Sequence, residues 1–236
     1  TICGTVLTTG SVNAQGDSST NSESLKELQN EGIVSKSITE NQWQQMKDQE
    51  RKDEAKFEST AEAQWQKQQK QDRIDRENRS RKKKFHLKKG DFFITNNVSS
   101  KGFTGHAAIY TGKGKVKEAP GYGQPVRVKS FSDWKKSTLK KRKGSPKHRY
   151  IKVYRAPKKY RGKAGNYAKS HFNGVPYSIT TNPYSKSVTY CSKLVWQSYY
   201  FGAGKKSVNS TGVYHYFNPY NLPKNIKGAK KVKTFF

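Results

Sequence analysis

Cys191 stands in a segment whose residue spacing predicts a helix. Leu194, Val195 and Ser198 follow it at i+3, i+4 and i+7, the positions that share one face of an α-helix. The thiol therefore lies on the inward face of the predicted helix. A thiol in this position can act as a nucleophile, and it can equally be a small buried side chain of the core.

The start of this helix bears on the reactivity of the thiol. Ser187 or Thr189 can cap it, which places Cys191 in or near the first turn. The unpaired N–H groups and the helix dipole at that end favour a thiolate. Thiolate attack on a carbonyl also needs a nearby base and a donor for the oxyanion, and the N–H of Cys191 can supply part of that donation.

A candidate base lies in a predicted β-hairpin. Residues 105–110 and 116–119 have the pattern of strands, and a glycine-containing turn joins them. The first strand carries His106 and the second carries Glu118. A strongly basic environment discourages protonation of an imidazole, and a carboxylate partner counters that effect. Glu118 therefore has an electrostatic reason to lie beside His106.

The register of the hairpin decides whether the two side chains can meet. If the turn is centred on Gly112, His106 lies directly opposite Glu118, and opposed residues share a face of the sheet. A two-residue turn on Gly112 and Lys113 shifts the register by one and sends the side chains to opposite faces. The sequence leaves both registers open.

Four segments together resemble the NlpC/P60 papain-like cysteine hydrolases. The segments are GDFFIT at 90–95, GHAAIYTGKGKVKEAPG at 105–121, NGVPYS at 173–178 and YCSKLVWQSYY at 190–200. In the usual members the cysteine segment precedes the histidine strand. Here the order is reversed, which resembles the circularly permuted YiiX/YebB-like branch, whose relatives include lecithin–retinol acyltransferase and the HRAS-like phospholipases. The likeness covers about residues 88–202.

The resemblance implies a fold and a set of roles. The fold is a permuted papain-like α+β domain with an antiparallel sheet and a helix that carries the cysteine. Cys191 is the nucleophile, His106 the general base and Glu118 the residue that orients it. Tyr177 matches a family tyrosine that contacts substrate or assists the oxyanion, and it can equally be a core aromatic. Tyr190 stands where ordinary members carry an Asp that binds a substrate amine.

The activity that the resemblance implies is that of a secreted papain-like cysteine hydrolase. Such an enzyme cleaves an amide bond, in a cell-wall peptide or a similar substrate, through a Cys-His-Glu triad. The permuted relatives imply an alternative, a lipid-directed acyltransferase or phospholipase. A non-catalytic protein that binds polyanions is a further alternative, because such binding would by itself explain the basic charge.

Charge is distributed very unevenly along the 236 residues. Residues 1–90 carry 17 basic and 14 acidic side chains, whereas residues 91–236 carry 30 basic and three acidic ones. So basic a surface attracts polyanions. The expected partners are an anionic cell-wall polymer, a peptide or a lipid headgroup, without specific binding of nucleic acid, and the expected state is a monomer. No metal-ligand spacing and no phosphate-binding glycine loop occurs, so neither a metal nor another cofactor is predicted.

The composition also predicts three regions. Residues 1–16 resemble the end of a secretory signal peptide, with an ordinary flexible terminus as the alternative, and no stretch is apolar enough to span a membrane. Residues 17–84 are predicted to be a polar helical segment with a basic linker, in which Thr39 begins a capping box. Residues 85–236 form the predicted hydrolase domain. The expected location is outside a bacterial cell, secreted or associated with the cell wall.

Overall fold

A computed structural model of the chain describes residues 24–77, 85–100, 103–142, 145–209 and 215–236. The helices are α1 Leu25–Asn30, α2 Glu40–Glu58, α3 Ala61–Glu77, α4 Phe131–Leu139, α5 Lys158–Ser170, α6 Cys191–Ala203 and α7 Leu222–Asn225. The strands are β1 Phe92–Ser100, β2 Phe103–Gly112, β3 Lys115–Glu118, β4 Arg127–Ser130, β5 Ile151–Arg155 and β6 Lys230–Phe235. The strands predicted at residues 105–110 and 116–119 are therefore present as β2 and β3.

The six strands form one antiparallel sheet in the order β4-β3-β2-β1-β5-β6. Successive side chains of a strand point to opposite faces. Phe92 and Ile109 accordingly lie in the main core, on the face that α5 and α6 cover. Phe93 and Ala108 lie on the other face, where they pack with Trp134 of α4. The predicted α+β class is confirmed, and the arrangement is compatible with a papain-like fold.

The β2–β3 hairpin has neither of the registers considered from the sequence. Its two turn residues are Lys113 and Gly114, both with positive φ (48° and 71°), as a two-residue hairpin turn with matching twist requires. Tyr110 pairs with Val116, but the next pair joins Gly112 to Lys115, so one residue of β2 is left over. His106 is therefore not directly opposite Glu118.

The extra residue is Thr111, and it forms a β-bulge. The two-residue turn by itself would place Glu118 on the opposite face of the hairpin from His106, because side chains alternate along a strand. The bulge shifts the pairing by one residue and reverses that outcome. Glu118 then lies beside Ala108, on the face of β2 that also carries His106, and the two side chains meet along a diagonal.

The amino-terminal helices pack against the sheet domain. The predicted capping box at Thr39 is confirmed, since its hydroxyl accepts from the Gln42 amide and the Gln42 side chain accepts from the Thr39 amide. From α1 and α2, Leu28, Trp43 and Met46 are fully or almost fully buried in the main core. These helices therefore share the core of the domain instead of extending into solvent.

Two of the predictions lie outside the described residues. They are the signal-peptide segment 1–16 and the basic run at 79–84. The division of the chain at residue 85 stays a prediction. Among the described residues, no helix is long and apolar enough to cross a membrane.

Candidate active site

Cys191 is the first residue of α6, as the helix pattern predicted. Tyr190 is the N-cap residue, with extended backbone angles (φ −137°, ψ 171°) and no capping hydrogen bond from its side chain. The expectation that Ser187 or Thr189 caps the helix is therefore wrong. The first N–H groups of any α-helix lack acceptors within the helix. At α6 these groups belong to Cys191 and the residues that follow it. Together with the helix dipole they stabilise negative charge at this end of the helix.

The imidazole of His106 lies between the thiol and the carboxylate. Its Nε2 is 2.9 Å from Oε2 of Glu118. The ring also hydrogen-bonds the Cys191 sulfur, and the sulfur accepts a further hydrogen bond from the Ala107 amide. All three side chains are buried. The structure thus brings the predicted nucleophile, base and orienting residue into one hydrogen-bonded chain, and their catalytic roles stay predictions.

Glu118 has two further partners that the sequence did not reveal. Trp134 Nε1 donates to Oε2 over 2.8 Å, and Arg127 Nε donates to Oε1 over 2.8 Å. Burial would raise the pKa of this carboxyl, but its contacts with His106, Arg127 and Trp134 outweigh burial and lower the pKa to about 2. The carboxylate is therefore charged across the physiological pH range.

The thiol and the imidazole shift each other's pKa in opposite directions. Burial alone would lower the pKa of His106, but hydrogen bonds with Cys191 and Glu118 raise it to about 10. Burial alone would raise the pKa of the Cys191 thiol, but the contact with His106 and the hydrogen bonds from Ala107 and Ser192 lower it. The two groups titrate as a pair. Both shifts favour a thiolate beside an imidazolium, which is the reactive form of a cysteine nucleophile.

The two tyrosines predicted to contact substrate are both largely buried. Tyr190 stacks on Tyr216, with ring centroids 5.6 Å apart, and its hydroxyl accepts from the Phe217 amide over 3.1 Å. Tyr177 belongs to the main core and bridges to Thr189 just before α6. Both side chains therefore support the start of α6, and a direct contact with substrate stays a prediction for each.

Residues 216–220 hold both sequence neighbours of Cys191 in place. Tyr190 holds the amide of Phe217, and the Ser192 hydroxyl donates to the Phe217 carbonyl. The two neighbours of Cys191 are thus fixed to one residue of this segment. This segment contains the run Phe-Asn-Pro-Tyr at 217–220, whose local pattern does not indicate the contact.

The acidic face of α2 holds the same segment from outside. Glu50 accepts from the Tyr216 hydroxyl over 3.0 Å, and Glu54 accepts from the Tyr220 hydroxyl over 3.0 Å. Asp53 accepts from the Asn218 amide group over 2.8 Å. Three carboxyl groups spaced along one side of α2 therefore connect this helix, through residues 216–220, to the start of α6.

We expect Glu118→Gln to reduce turnover on the order of a hundredfold, while alkylation of the thiol by iodoacetamide at neutral pH falls only several-fold. The helix terminus still favours the thiolate, but the imidazolium loses the charge that holds and orients it. The alkaline limb of the activity profile, at about pH 10 where His106 loses its proton, moves to lower pH.

Measurement of kcat/KM and of the iodoacetamide rate against pH checks this expectation. Asp133→Asn is the matched control, because Asp133 is another acidic residue of the basic region and lies exposed at the start of α4. Equal activity and equal pH profiles in Glu118→Gln and the unmodified protein would contradict the role given to Glu118.

Metal chemistry was not expected from the sequence. Among the described residues, no group of three or more His, Cys, Asp or Glu side chains is placed to hold a metal ion.

Comparisons with known proteins place the chain in a family. A family model described as "Lipoprotein N-acylation protein LnsA-like" matches residues 61–235. A Bacillus thuringiensis protein, described as "Uncharacterized 30.3 kDa protein", is 37% identical over 167 residues, which cover 64% of this chain and 58% of that relative. The chain thus spans somewhat more than half the length of this curated relative. No match was found among the solved structures.

The matched family falls within the permuted papain-like YaeF/YiiX group, which is consistent with the resemblance found in the sequence. The match extends from the start of α3 to the end of β6 and so includes all three residues of the hydrogen-bonded chain. Because it covers well over half of the sequence, this chain belongs to the LnsA-like lipoprotein N-acylation family.

Proposed function

We propose that the protein is a thiol acyltransferase that carries a fatty acyl group as a thioester on Cys191. The observation that carries the proposal is the buried chain of thiol, imidazole and carboxylate at the start of α6. The family description supplies the chemical class, the N-acylation of a lipoprotein. The donor is then an ester-linked acyl chain of a membrane lipid, and the acceptor is a lipoprotein amine.

The first half-reaction uses the thiolate and the imidazolium together. The Cys191 sulfur attacks the ester carbonyl carbon, a C–S bond forms, and the carbonyl oxygen becomes an oxyanion. The first-turn N–H groups of α6, beginning with that of Cys191, can donate to this oxyanion. His106 gives its proton to the leaving alcohol oxygen as the ester C–O bond breaks. The products are a thioester on the enzyme and a deacylated lipid.

The second half-reaction uses the imidazole as a base. The acceptor amine attacks the thioester carbon, and His106 takes the proton that the nitrogen loses. The C–S bond breaks, an amide is formed, and the thiolate returns beside the imidazolium. Glu118 stays charged throughout and stabilises the imidazolium. Water can replace the amine in this step, and the net reaction is then hydrolysis of the lipid ester, which is the phospholipase activity that the permuted relatives implied as an alternative.

The basic charge of the domain supports a donor in an anionic membrane. Residues 91–236 carry 30 basic and three acidic side chains, and a surface of this kind concentrates near anionic headgroups. The proposal also keeps the expected location outside the cytoplasm, where lipoprotein amines are reached from the membrane surface.

Intact-protein mass spectrometry tests the proposal. The full chain is incubated with phosphatidylglycerol vesicles that carry deuterated acyl chains, and we expect one added acyl mass that hydroxylamine removes and that prior alkylation of Cys191 prevents. A synthetic diacylated lipopeptide with a free amino terminus is then added. Transfer of the label to its amine supports acyl transfer, release as free fatty acid supports hydrolysis, and the absence of any thioester would refute both.

A further inference from the structure

We propose that a cavity against Glu118 binds a phosphate group, that of the headgroup on the acyl donor. This inference rests on the proposed function and names the part of the substrate that the site recognises. The cavity has a volume of about 150 Å³. Its lining includes His106, Glu118, Arg127, Lys129, Ser137 and Arg142, and we call it the cationic cavity.

Two of the cationic side chains come from β4. Arg127 pairs with Glu118 and Lys129 pairs with Val116 in the β3–β4 ladder. Paired residues share a face of the sheet, so Arg127 and Lys129 lie on the same face as the carboxylate. Val128 between them points to the other face and is exposed. Because side chains alternate along β4, the two basic groups on either side of Val128 both point toward the cavity.

The end of α4 and the residues after it form another part of the lining. The Arg142 guanidinium donates from Nη2 to the Ser137 carbonyl over 2.9 Å. The Asn97 side-chain amide donates to the carbonyls of Thr138 and Lys140, which fixes the carboxyl end of α4 to the sheet. Arg142 is thus held in the lining of the cavity by its bond to the end of α4.

The electrostatic balance of the cavity favours an anion. Both carboxylate oxygens of Glu118 already accept hydrogen bonds, from His106, Trp134 and Arg127. Within the described parts of the chain, neither Lys129 nor Arg142 forms an ion pair with an acidic side chain. A phosphate oxygen can accept from guanidinium and ammonium groups in the geometry that such groups prefer. The cavity is also large enough for a phosphate group, because its volume of about 150 Å³ is several times the volume of one water molecule, about 30 Å³.

The position of the cavity suits the leaving group of the reaction. His106 interacts with the sulfur of Cys191 and also lines the cavity. In the first half-reaction the imidazolium gives its proton to the alcohol oxygen of the deacylated lipid. In a phospholipid that alcohol carries the phosphate a short glycerol linkage away. A phosphate held in the cavity therefore keeps the leaving oxygen near the proton that it receives.

The test uses a double variant, Lys129→Gln with Arg142→Gln. Arg127 is left unchanged because it bonds to Glu118. The matched control is Arg76→Gln with Lys206→Gln, two exposed residues that do not line the cavity and whose replacement removes the same total charge. Calorimetry measures binding of glycerol phosphate and of inorganic phosphate. Acyl-enzyme formation is measured in mixed micelles with phosphatidylglycerol or diacylglycerol as donor.

We expect the cavity variant to bind glycerol phosphate at least tenfold more weakly than the unmodified protein, and the control to bind it equally well. Acyl-enzyme formation from phosphatidylglycerol falls at least tenfold in the cavity variant, whereas the rate from diacylglycerol is unchanged, since that leaving alcohol has no phosphate. The iodoacetamide rate of Cys191 is unchanged in both variants, which shows that the thiol and imidazole are intact.

Unchanged binding of glycerol phosphate in the cavity variant would overturn the assignment. An equal loss of rate with both donors would overturn it as well. Binding of inorganic phosphate without competition against phosphatidylglycerol would show a site for free phosphate and would refute the headgroup assignment. If no donor forms a thioester, the proposed function fails, and the binding measurement still decides whether the cavity takes a phosphate group.

Discussion

Replacement of Cys191 by alanine is expected to abolish acyl transfer, with a loss of turnover on the order of 10⁴ or more. The variant should keep its fold, because the sulfur is one small buried group at the first residue of α6. The two neighbours of Cys191 are also held by Phe217. Turnover with labelled phosphatidylglycerol and the thermal unfolding midpoint are measured on the same preparation.

A second comparison separates the thiol from the rest of the site. Cys191→Ser puts a hydroxyl of similar size in place of the thiol. The pKa of a hydroxyl is far too high for it to ionise as a thiol does, so we expect the serine variant to be as inactive as the alanine variant. Because the nucleophile and the base act as a unit, Cys191→Ala combined with His106→Ala should be no slower than Cys191→Ala alone. Residual turnover of a tenth or more in Cys191→Ala would exclude the thioester route.

Replacement of Glu50 by alanine is expected to lower the free energy of unfolding by about 2 kcal/mol, because buried hydrogen bonds lose their acceptor. Glu50 accepts from the amide and hydroxyl of Thr104 on β2 and from the Tyr216 hydroxyl. Thermal unfolding should show the loss as a fall in Tm of about 4–8 °C. Lys52→Ala, on the exposed side of the same helix, is the control and should change the free energy by less than about 0.5 kcal/mol.

The same carboxyl gives stability a distinctive dependence on pH. Burial raises the pKa of Glu50 from 4.5 to about 8. Because the folded state holds this proton more tightly than the unfolded state, the contribution to stability is complete below pH 4.5 and is lost as the pH rises toward about 8. Glu50→Gln carries no such proton, so the difference in unfolding free energy between the two proteins should change across that window. A difference that is independent of pH would contradict the burial of a titrating Glu50.

The sequence predicted the local elements of the site well. Apolar spacing after Cys191 identified α6, and the strand patterns around His106 and Glu118 identified β2 and β3, since local periodicity depends only on neighbouring residues. The N-cap residue of α6 was not identified from the sequence. Tyr190 takes that position with an extended backbone, and its side chain makes no capping hydrogen bond. At this site the predicted helix and strands were therefore more reliable than the predicted cap.

Long-range partners were beyond the reach of the sequence. Trp134 and Arg127 contact Glu118 only because α4 and β4 return to the same face of the sheet, and nothing in their local patterns indicates that packing. The docking of α2 was likewise open, since an amphipathic helix with few apolar residues can bind a domain or remain in solvent. Glu50, Asp53 and Glu54 stand at i, i+3 and i+4 on one face of α2, but this spacing does not reveal which segment the face contacts.

The bulge at Thr111 has a consequence for how this hairpin tolerates changes in length. Removing or adding one residue between His106 and Glu118 turns the carboxylate to the far side of the ladder, whereas changes by two residues return it to the near side. Insertions and deletions in the hairpins of homologues should therefore be even in number wherever the histidine and glutamate are both retained. A homologue that keeps both residues but lacks the bulge must have compensated with a turn of a different length.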